Sequence, residues 1–268
     1  MIQPYMVKHI QNYCSCLILD DMISQIYKFT LTDTDDFSCT SIQDASVDII
    51  FYKNLHNHEQ GIMLVGPSKK LENNYIVFKG GYNYIGIRFK PGCPLVLKHT
   101  ETKELYDCVL SLDQQEDDHI HLTAQISNMF DQGCKLEVVR QILFRYLSKP
   151  KDRKAKLCSQ MIDYMLEYTG EFRRAELTDA FGYTEYYMNK IFHAYTGYSV
   201  KAYYNLLRIH RALNYYEQES TENIMPRYSQ LALDLGYSDQ AHMTREFQKY
   251  LGISPHKFWK DGYKITAK

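Results

Sequence analysis

The residues best equipped for chemistry lie in two stretches of the carboxyl-terminal half. In the first, helical spacing sets Met188, Ile191, Phe192 and Tyr195 on one stripe and turns Glu185, Tyr186, Asn189, Lys190 and His193 outward. In the second, Met243, Phe247 and Tyr250 or Leu251 form the stripe. Gln240, Ala241, Thr244, Arg245 and Gln248 face outward there, with His242 at the margin. The chemistry on offer is the reading of base edges in a DNA major groove. Asn and Gln match adenine, Arg and Lys match guanine or phosphate, and Ala or Thr methyls fit the thymine methyl.

Catalytic chemistry has no comparable footing. The chain holds no Gly-rich phosphate loop, no Gly-x-Ser-x-Gly elbow and no His-Glu-x-x-His, so no catalytic residue is assigned. Two histidine pairs, His56 with His58 and His119 with His121, lack a third ligand at recognisable spacing and read as solvated loop residues. No metal and no cofactor are expected. The seven cysteines are odd in number and show no C-x-x-C pairing. Without a signal-peptide pattern or a membrane-length apolar run, they read as reduced thiols in a cytoplasmic protein.

The two outward faces need elements to hold them, and the sequence repeats those elements. Leu177 Thr178 Asp179 Ala180 Phe181 Gly182 Tyr183 Thr184 aligns with Leu231 Ala232 Leu233 Asp234 Leu235 Gly236 Tyr237 Ser238. Each copy predicts a short helix, a turn at its glycine, and a second helix capped by the hydroxyl of Thr184 or Ser238. This is a helix-turn-helix, twice. Between the copies, Ser199 to about Glu217 reads as one helix with Ala202, Leu206, Ile209, Ala212, Leu213 and Tyr216 as its apolar face. Such a rod, roughly 28 Å long, could set two recognition helices about one DNA turn apart. Arg208 and Arg211 would lie near phosphates or merely solvate the rod.

These features resemble the DNA-binding domain of the AraC/XylS family of bacterial transcription regulators. The second copy carries the matching residues: Leu231 Ala232, Gly236 Tyr237 Ser238 Asp239, Arg245, Phe247, Lys249, Gly252, Ser254 Pro255 and Phe258. The resemblance places base-facing positions at Tyr186, Asn189 and Lys190 in the first unit, and at Gln240, Ala241, His242, Thr244 and Arg245 in the second. Lys249 is expected to contact phosphate, weakening all sequences alike when removed. The resemblance also implies double-stranded DNA and RNA polymerase as partners, and activation of transcription. Thr178 stands where the family commonly has Ala, and His193, Ala194 and Gln248 stand at usually basic positions and so reduce the local basic charge.

Upstream, short β-branched and aromatic runs are separated by Gly66 Pro67, Asn73 Asn74, Gly80 Gly81 and Pro91 Gly92. Strands are predicted at 15–19, 26–31, 47–52, 61–65, 75–78 and 84–89, forming a β-barrel or sandwich-like domain. Asp44 Ala45 Ser46 Val47 Asp48, Gly66 Pro67 and Gly86 Ile87 Arg88 Phe89 Lys90 Pro91 Gly92 resemble the amino-terminal domain of one group of AraC-type regulators. That resemblance implies a regulatory or sensory role. Tyr75, Phe78, Tyr82, Tyr84 and Phe89 with Arg88 could wall a small-molecule pocket; alternatively they fill the core and Arg88 pairs with Asp48.

Helical spacing at Leu122, Ile126, Met129 and Phe130, then at Leu136, Val139, Ile142, Leu143, Tyr146 and Leu147, predicts a connector. It would either pack on its own copy in a homodimer or cover the sheet of its own chain. The expected plan is an α+β multidomain chain: a β-rich regulatory domain at 1–110, a helical connector at 111–150, and an all-α domain at 151–268 whose two helix-turn-helix units are joined by a long helix. Charge follows this division. Residues 1–150 hold 14 Lys+Arg against 18 Asp+Glu, whereas residues 151–268 hold 17 against 14.

Overall fold

The computed structural model describes residues 13–17, 22–32, 35–40, 44–68, 75–93, 96–97, 100–111, 128–131, 139, 141, 147–148, 153–167, 174–219 and 227–260. Its first half is a six-stranded antiparallel sheet. Strands β1 (Cys14–Leu17), β2 (Ile23–Leu31), β7 (Tyr82–Phe89), β4 (Asp48–Asn54), β5 (Gln60–Val65) and β10 (Val109–Ser111) lie in that order. A two-stranded ribbon of β3 (Phe37–Thr40) and β6 (Tyr75–Phe78) lies beside it. A small sheet of β11 (Leu147–Ser148), β8 (Val96–Leu97) and β9 (Thr100–Glu101) completes the β structure among the described residues. All six predicted strands form, but closure into a barrel does not. No described strand pairs β1 with β10, so the main sheet is open.

The alternation of side chains gives this sheet two different faces. One carries Ile26, Ile49, Phe51, Ile62, Leu64, Ile85, Ile87 and Phe89, and against it pack Met129 and Val139 from the predicted connector. The described part of the connector thus covers its own sheet. Leu122, Ile126, Leu136, Ile142, Leu143 and Tyr146 lie outside the described residues. The opposite face carries Phe29, Ile50, Tyr82 and Tyr84, roofed by Phe78 of β6. The Phe29 ring stacks on Tyr84 at 4.9 Å and meets Phe78 edge-on at 5.1 Å. On this face Gly86 is required, because a Cβ there would lie 1.9 Å from the Tyr27 ring laid across it.

Phe78, Tyr82 and Tyr84 of the predicted aromatic wall are therefore packed core, while the Tyr75 side chain lies outside the described ones. Phe89 belongs to the other face, and Arg88 is buried in ion pairs with both Asp44 and Asp48. One guanidinium thus serves two buried carboxylates. Burial pushes the Asp48 carboxyl up to about 7, opposed by the Tyr27 hydroxyl, which donates to it from 3.3 Å.

The second half is helical: α1 (Arg153–Glu167), α2 (Arg174–Phe181), α3 (Glu185–Thr196), α4 (Val200–Glu219), α5 (Tyr228–Asp234), α6 (Gln240–Leu251) and α7 (Pro255–Lys260). Its core gathers Met161, Met165, Phe192, Tyr203, Leu206, Leu213, Ala232, Met243, Phe247 and Phe258, and it also takes in Ala45 from the β half. Helix α4 is buried around most of its circumference by Tyr203, Leu206, Leu207, Ile209, His210 and Leu213. It is an axial core helix, more enclosed than the one-sided apolar stripe predicts.

Candidate nucleic-acid interface

The first unit is α2 and α3, joined by Gly182 at φ +70. A Cβ at Gly182 would meet only open space, so the positive φ alone selects glycine there. Thr184 then caps α3, its hydroxyl accepting from the Tyr187 N–H at 3.3 Å. Met188, Ile191 and Phe192 are buried, which turns Glu185, Tyr186, Lys190 and His193 to the surface. Tyr186 is 78% exposed. Asn189 is half-buried, and its side-chain oxygen accepts from the Val200 N–H at 3.0 Å, fixing the entry to α4. Gly197, at φ +67, ends α3 by donating to the His193 carbonyl.

The second unit repeats this with one change of cap. Gly236 at φ +74 makes the turn between α5 and α6. Asp239, rather than Ser238, caps α6: its carboxylate accepts from the His242 N–H at 2.7 Å. That bond and the Ser238 hydroxyl hold the Asp239 carboxyl below the usual range. The helix starts one residue later than the alignment implies, so the aspartate stands where its charge complements the helix N-terminus. Ser238 instead bridges, 3.2 Å from His242 Nδ1. Gln240, Ala241, Arg245, Gln248 and Lys249 are exposed, and His242 and Thr244 half-buried. His242 meets the buried Tyr237 ring edge-on at 5.3 Å. Every residue assigned to the two recognition faces therefore reaches the surface wholly or in part, on two helices of the same length.

The arginines of α4 sit elsewhere than on a phosphate-facing surface. Arg208 is buried, donates to the Gly236 carbonyl at 2.8 Å, pairs with Glu246 at 3.4 Å, and lies 4.0 Å from the Tyr237 ring centroid. Arg211 donates to the carbonyls of Met165 and Leu166 at the end of α1. Both bind structure together: Arg208 fixes the second turn to α4, and Arg211 fixes α1 to α4. Helical spacing does not reveal these roles, because the Gly236, Met165 and Leu166 carbonyls, Glu246 and the Tyr237 ring all stand tens of positions away.

The β half touches the first unit directly. The Tyr198 hydroxyl lies 2.7 Å from the Ser68 carbonyl and 3.2 Å from the Asp44 carbonyl. The Tyr203 hydroxyl donates to the Pro91 carbonyl at 3.1 Å, and the Tyr106 ring meets Tyr198 edge-on. Gly92, at φ +69, is pressed so closely that a Cβ would lie 2.9 Å from Ile162 and 3.1 Å from Thr196. Thus the segments Asp44–Ser46, Gly66–Ser68 and Arg88–Gly92 converge at the exit of α3.

Other candidate sites do not assemble. His56 and His58 are exposed, while His119 and His121 lie outside the described residues. No group of three metal-ligating side chains occurs among the described residues. Cys93 and Cys158 are buried, and burial raises the Cys158 thiol. A cavity of ≈ 200 Å³ lies between the sheet and residues 128–131, lined by Lys28, Thr30, Asn83, Ile85, Met129 and Phe130 among others. No helix among the described residues is long and apolar enough to cross a membrane.

Comparison with known proteins bears on the helical half. Residues 177–261 match a family model described as a helix-turn-helix domain. No curated protein matches the sequence. Among solved structures, the carboxyl-terminal domain of AraT, a response regulator from Geobacillus stearothermophilus, is 18% identical over 44% of this chain and 93% of that one, with a TM-score of 0.36. ToxT from Vibrio cholerae is 9% identical over 92% of this chain and 98% of its own, with a TM-score of 0.44. The unsaturated fatty acid bound form of ToxT is 12% identical over 96% and 97%, with a TM-score of 0.42. Residues 177–261 are thus a helix-turn-helix domain, as the repeated hairpins of the sequence predict.

Proposed function

We propose that the chain is a sequence-specific transcription activator in which residues 1–110 regulate, residues 111–150 connect, and residues 151–268 bind DNA through two readers. Tyr186, Asn189 and Lys190 serve the first reader. Gln240, Ala241, His242, Thr244, Arg245 and Lys249 serve the second. The observation that carries this reading is the pair of capped, outward-facing recognition helices on either side of α4. At 20 residues, α4 is about 30 Å long, close to one turn of DNA. Activation through RNA polymerase and a cytoplasmic location follow from the family resemblance.

Regulation would pass through the contact between the β half and α3. A signal that shifts the sheet changes how the first reader is held, biasing a two-state arrangement. A small-molecule effector would have to fit the cavity beside Lys28 and Thr30, which at ≈ 200 Å³ is below the usual size of a ligand pocket. The packed aromatic face favours a second reading, control by a protein partner or by abundance. Selection of duplexes from random DNA by the full chain, with and without cell extract, tests both. An enriched motif establishes sequence-specific binding, and a requirement for extract points to a signal. Absence of enrichment under either condition counts against DNA reading.

A further inference from the structure

The exit of α3 is tied to a buried charge cluster that one cation cannot neutralise. Arg88 of β7 pairs with both Asp44 and Asp48, and all three residues are buried. The two acids belong to different parts of the fold. Asp48 opens β4 inside the main sheet, whereas Asp44 lies in a segment that the β half presses on the helical half. The Asp44 carbonyl is 3.2 Å from the Tyr198 hydroxyl, and Ala45 packs in the helical core. Asp44 also bridges to Ser68, whose carbonyl is 2.7 Å from the same hydroxyl. Within the segment, the Asp44 carboxylate accepts from the Ser46 N–H at 3.1 Å, and the Ala45 carbonyl accepts from the Gly92 N–H.

Two ionised carboxylates against one guanidinium leave a surplus negative charge, which is costly away from water. Around Asp48 stand Arg88 from β7, the Tyr27 hydroxyl from β2, Asp44 from the preceding segment and the uncharged Val65 from β5; Tyr13 bears on Tyr27. Burial raises the Asp48 carboxyl to about 7, so both of its states are populated near neutral pH. An alternative partner for the guanidinium is at hand. Gln25 stands opposite Arg88 in the β2–β7 register and is buried, and neither atom of its side-chain amide has a hydrogen-bond partner.

We propose that the charge on Asp48 sets how firmly the β half grips the exit of α3. With Asp48 neutral, Arg88 serves Asp44 alone and holds the 44–46 segment against Tyr198. With Asp48 ionised, Arg88 is drawn towards β4 and Gln25, Asp44 turns to water, and the segment slackens. Acid tightens the contact and alkali loosens it. This deepens the regulatory reading above by naming an input, a proton, and the joint through which it reaches the first reader.

The test is hydrogen–deuterium exchange on the full chain at pH 6 and pH 8, expressed as protection factors so that the intrinsic effect of pH on exchange is removed. About one Asp48 in ten is ionised at the lower pH and about nine in ten at the higher. Protection at 44–46 and 197–203 should therefore fall about tenfold between them, while the amides of α6 stay level. Asp48→Asn should keep these segments protected at both values. Asp44→Asn should leave them poorly protected at both, because Arg88 then has no carboxylate in the segment to hold. Circular dichroism checks that each variant is folded, and the wild-type contrast between the exit of α3 and α6 decides the matter if a variant is unstable.

Protection that is equal at the two pH values, a fall that α6 shares, or a fall that survives in Asp48→Asn would overturn the proposal. If the grip shifts as described while affinity for a selected duplex stays the same at both pH values, the proton-sensitive grip stands and the regulatory reading falls.

Discussion

The Tyr198 hydroxyl sits 2.7 Å from the carbonyl of Ser68, 130 residues earlier in the chain, so the loop leaving the first recognition helix is bonded to a strand end of the β half. Both residues are buried, and the Asp44 carbonyl lies within reach of the same hydroxyl. Tyr203 repeats the arrangement on Pro91. No comparable contact joins the β half to α6 among the described hydrogen bonds. Among the described hydrogen bonds, the β half is therefore tied to the loop leaving α3 and to the start of α4, and not to α6.

Removing these hydroxyls tests that hold. Tyr198→Phe and Tyr203→Phe should each destabilise the full chain by about 1 kcal/mol, the usual net worth of such a bond. Urea unfolding measures it. Footprinting on a selected duplex should show protection weakening first over the half bound by α3. Equal weakening over both halves would mean that the β half does not act on one reader alone.

The Asp44–Arg88–Asp48 cluster predicts a particular pH response. Asp48 has a carboxyl raised from 3.8 to about 7 by burial. The folded state thus holds its proton more tightly than the unfolded chain. Its contribution to stability is fully present below about pH 4 and is lost as pH rises through about 7. Asp48→Asn should flatten the stability profile across that window in urea titrations. Arg88→Ala leaves two buried carboxylates without their cation and should cost about 3 to 5 kcal/mol. A profile identical in wild type and Asp48→Asn would show that Asp48 titrates normally.

Arg208 is expected to support DNA binding from inside the fold, by holding the second turn to α4. Arg208→Ala removes the bond to Gly236, the partner of Glu246 and the cation over Tyr237, at a cost of about 3 kcal/mol. Affinity should fall along with melting temperature, and Arg208→Lys should restore only part of either, because a single ammonium cannot serve all three partners. Full recovery by lysine would reduce the role to that of a charge.

Arg245 and Lys249 separate sequence reading from attraction. Arg245→Ala should cost about 1 to 3 kcal/mol in DNA affinity and relax the preferred sequence, whereas Lys249→Ala should weaken all duplexes similarly. Gel-shift titrations against matched and shuffled duplexes distinguish the two. Neither change appearing would exclude this face of α6 from the interface.

Local rules were enough for much of this protein. The repeated Leu-to-Gly-Tyr segments specify both turns because a positive φ at Gly182 and Gly236 is a property of the backbone alone. The stripes at Met188, Ile191 and Phe192 and at Met243 and Phe247 follow from helical spacing, and so do the outward residues between them. The strand runs followed from β-branched and aromatic composition.

What the fold alone decided involves choices between partners distant in sequence. Whether Arg88 binds a ligand or a carboxylate depends on Asp44 and Asp48 meeting it across the sheet, and they do. Closure of the sheet depends on edges brought together by the whole chain, and β1 and β10 stay apart. The sequence puts the cap of α6 on the Ser238 hydroxyl, and the residue at which α6 begins gives it to the Asp239 carboxylate instead. Arg208 and Arg211 carry the same charge in any fold, but α4 is enclosed by neighbours on most sides, so they turn to buried carbonyls rather than to solvent. Spacing fixes which side of a helix a residue occupies; only packing fixes what stands opposite it.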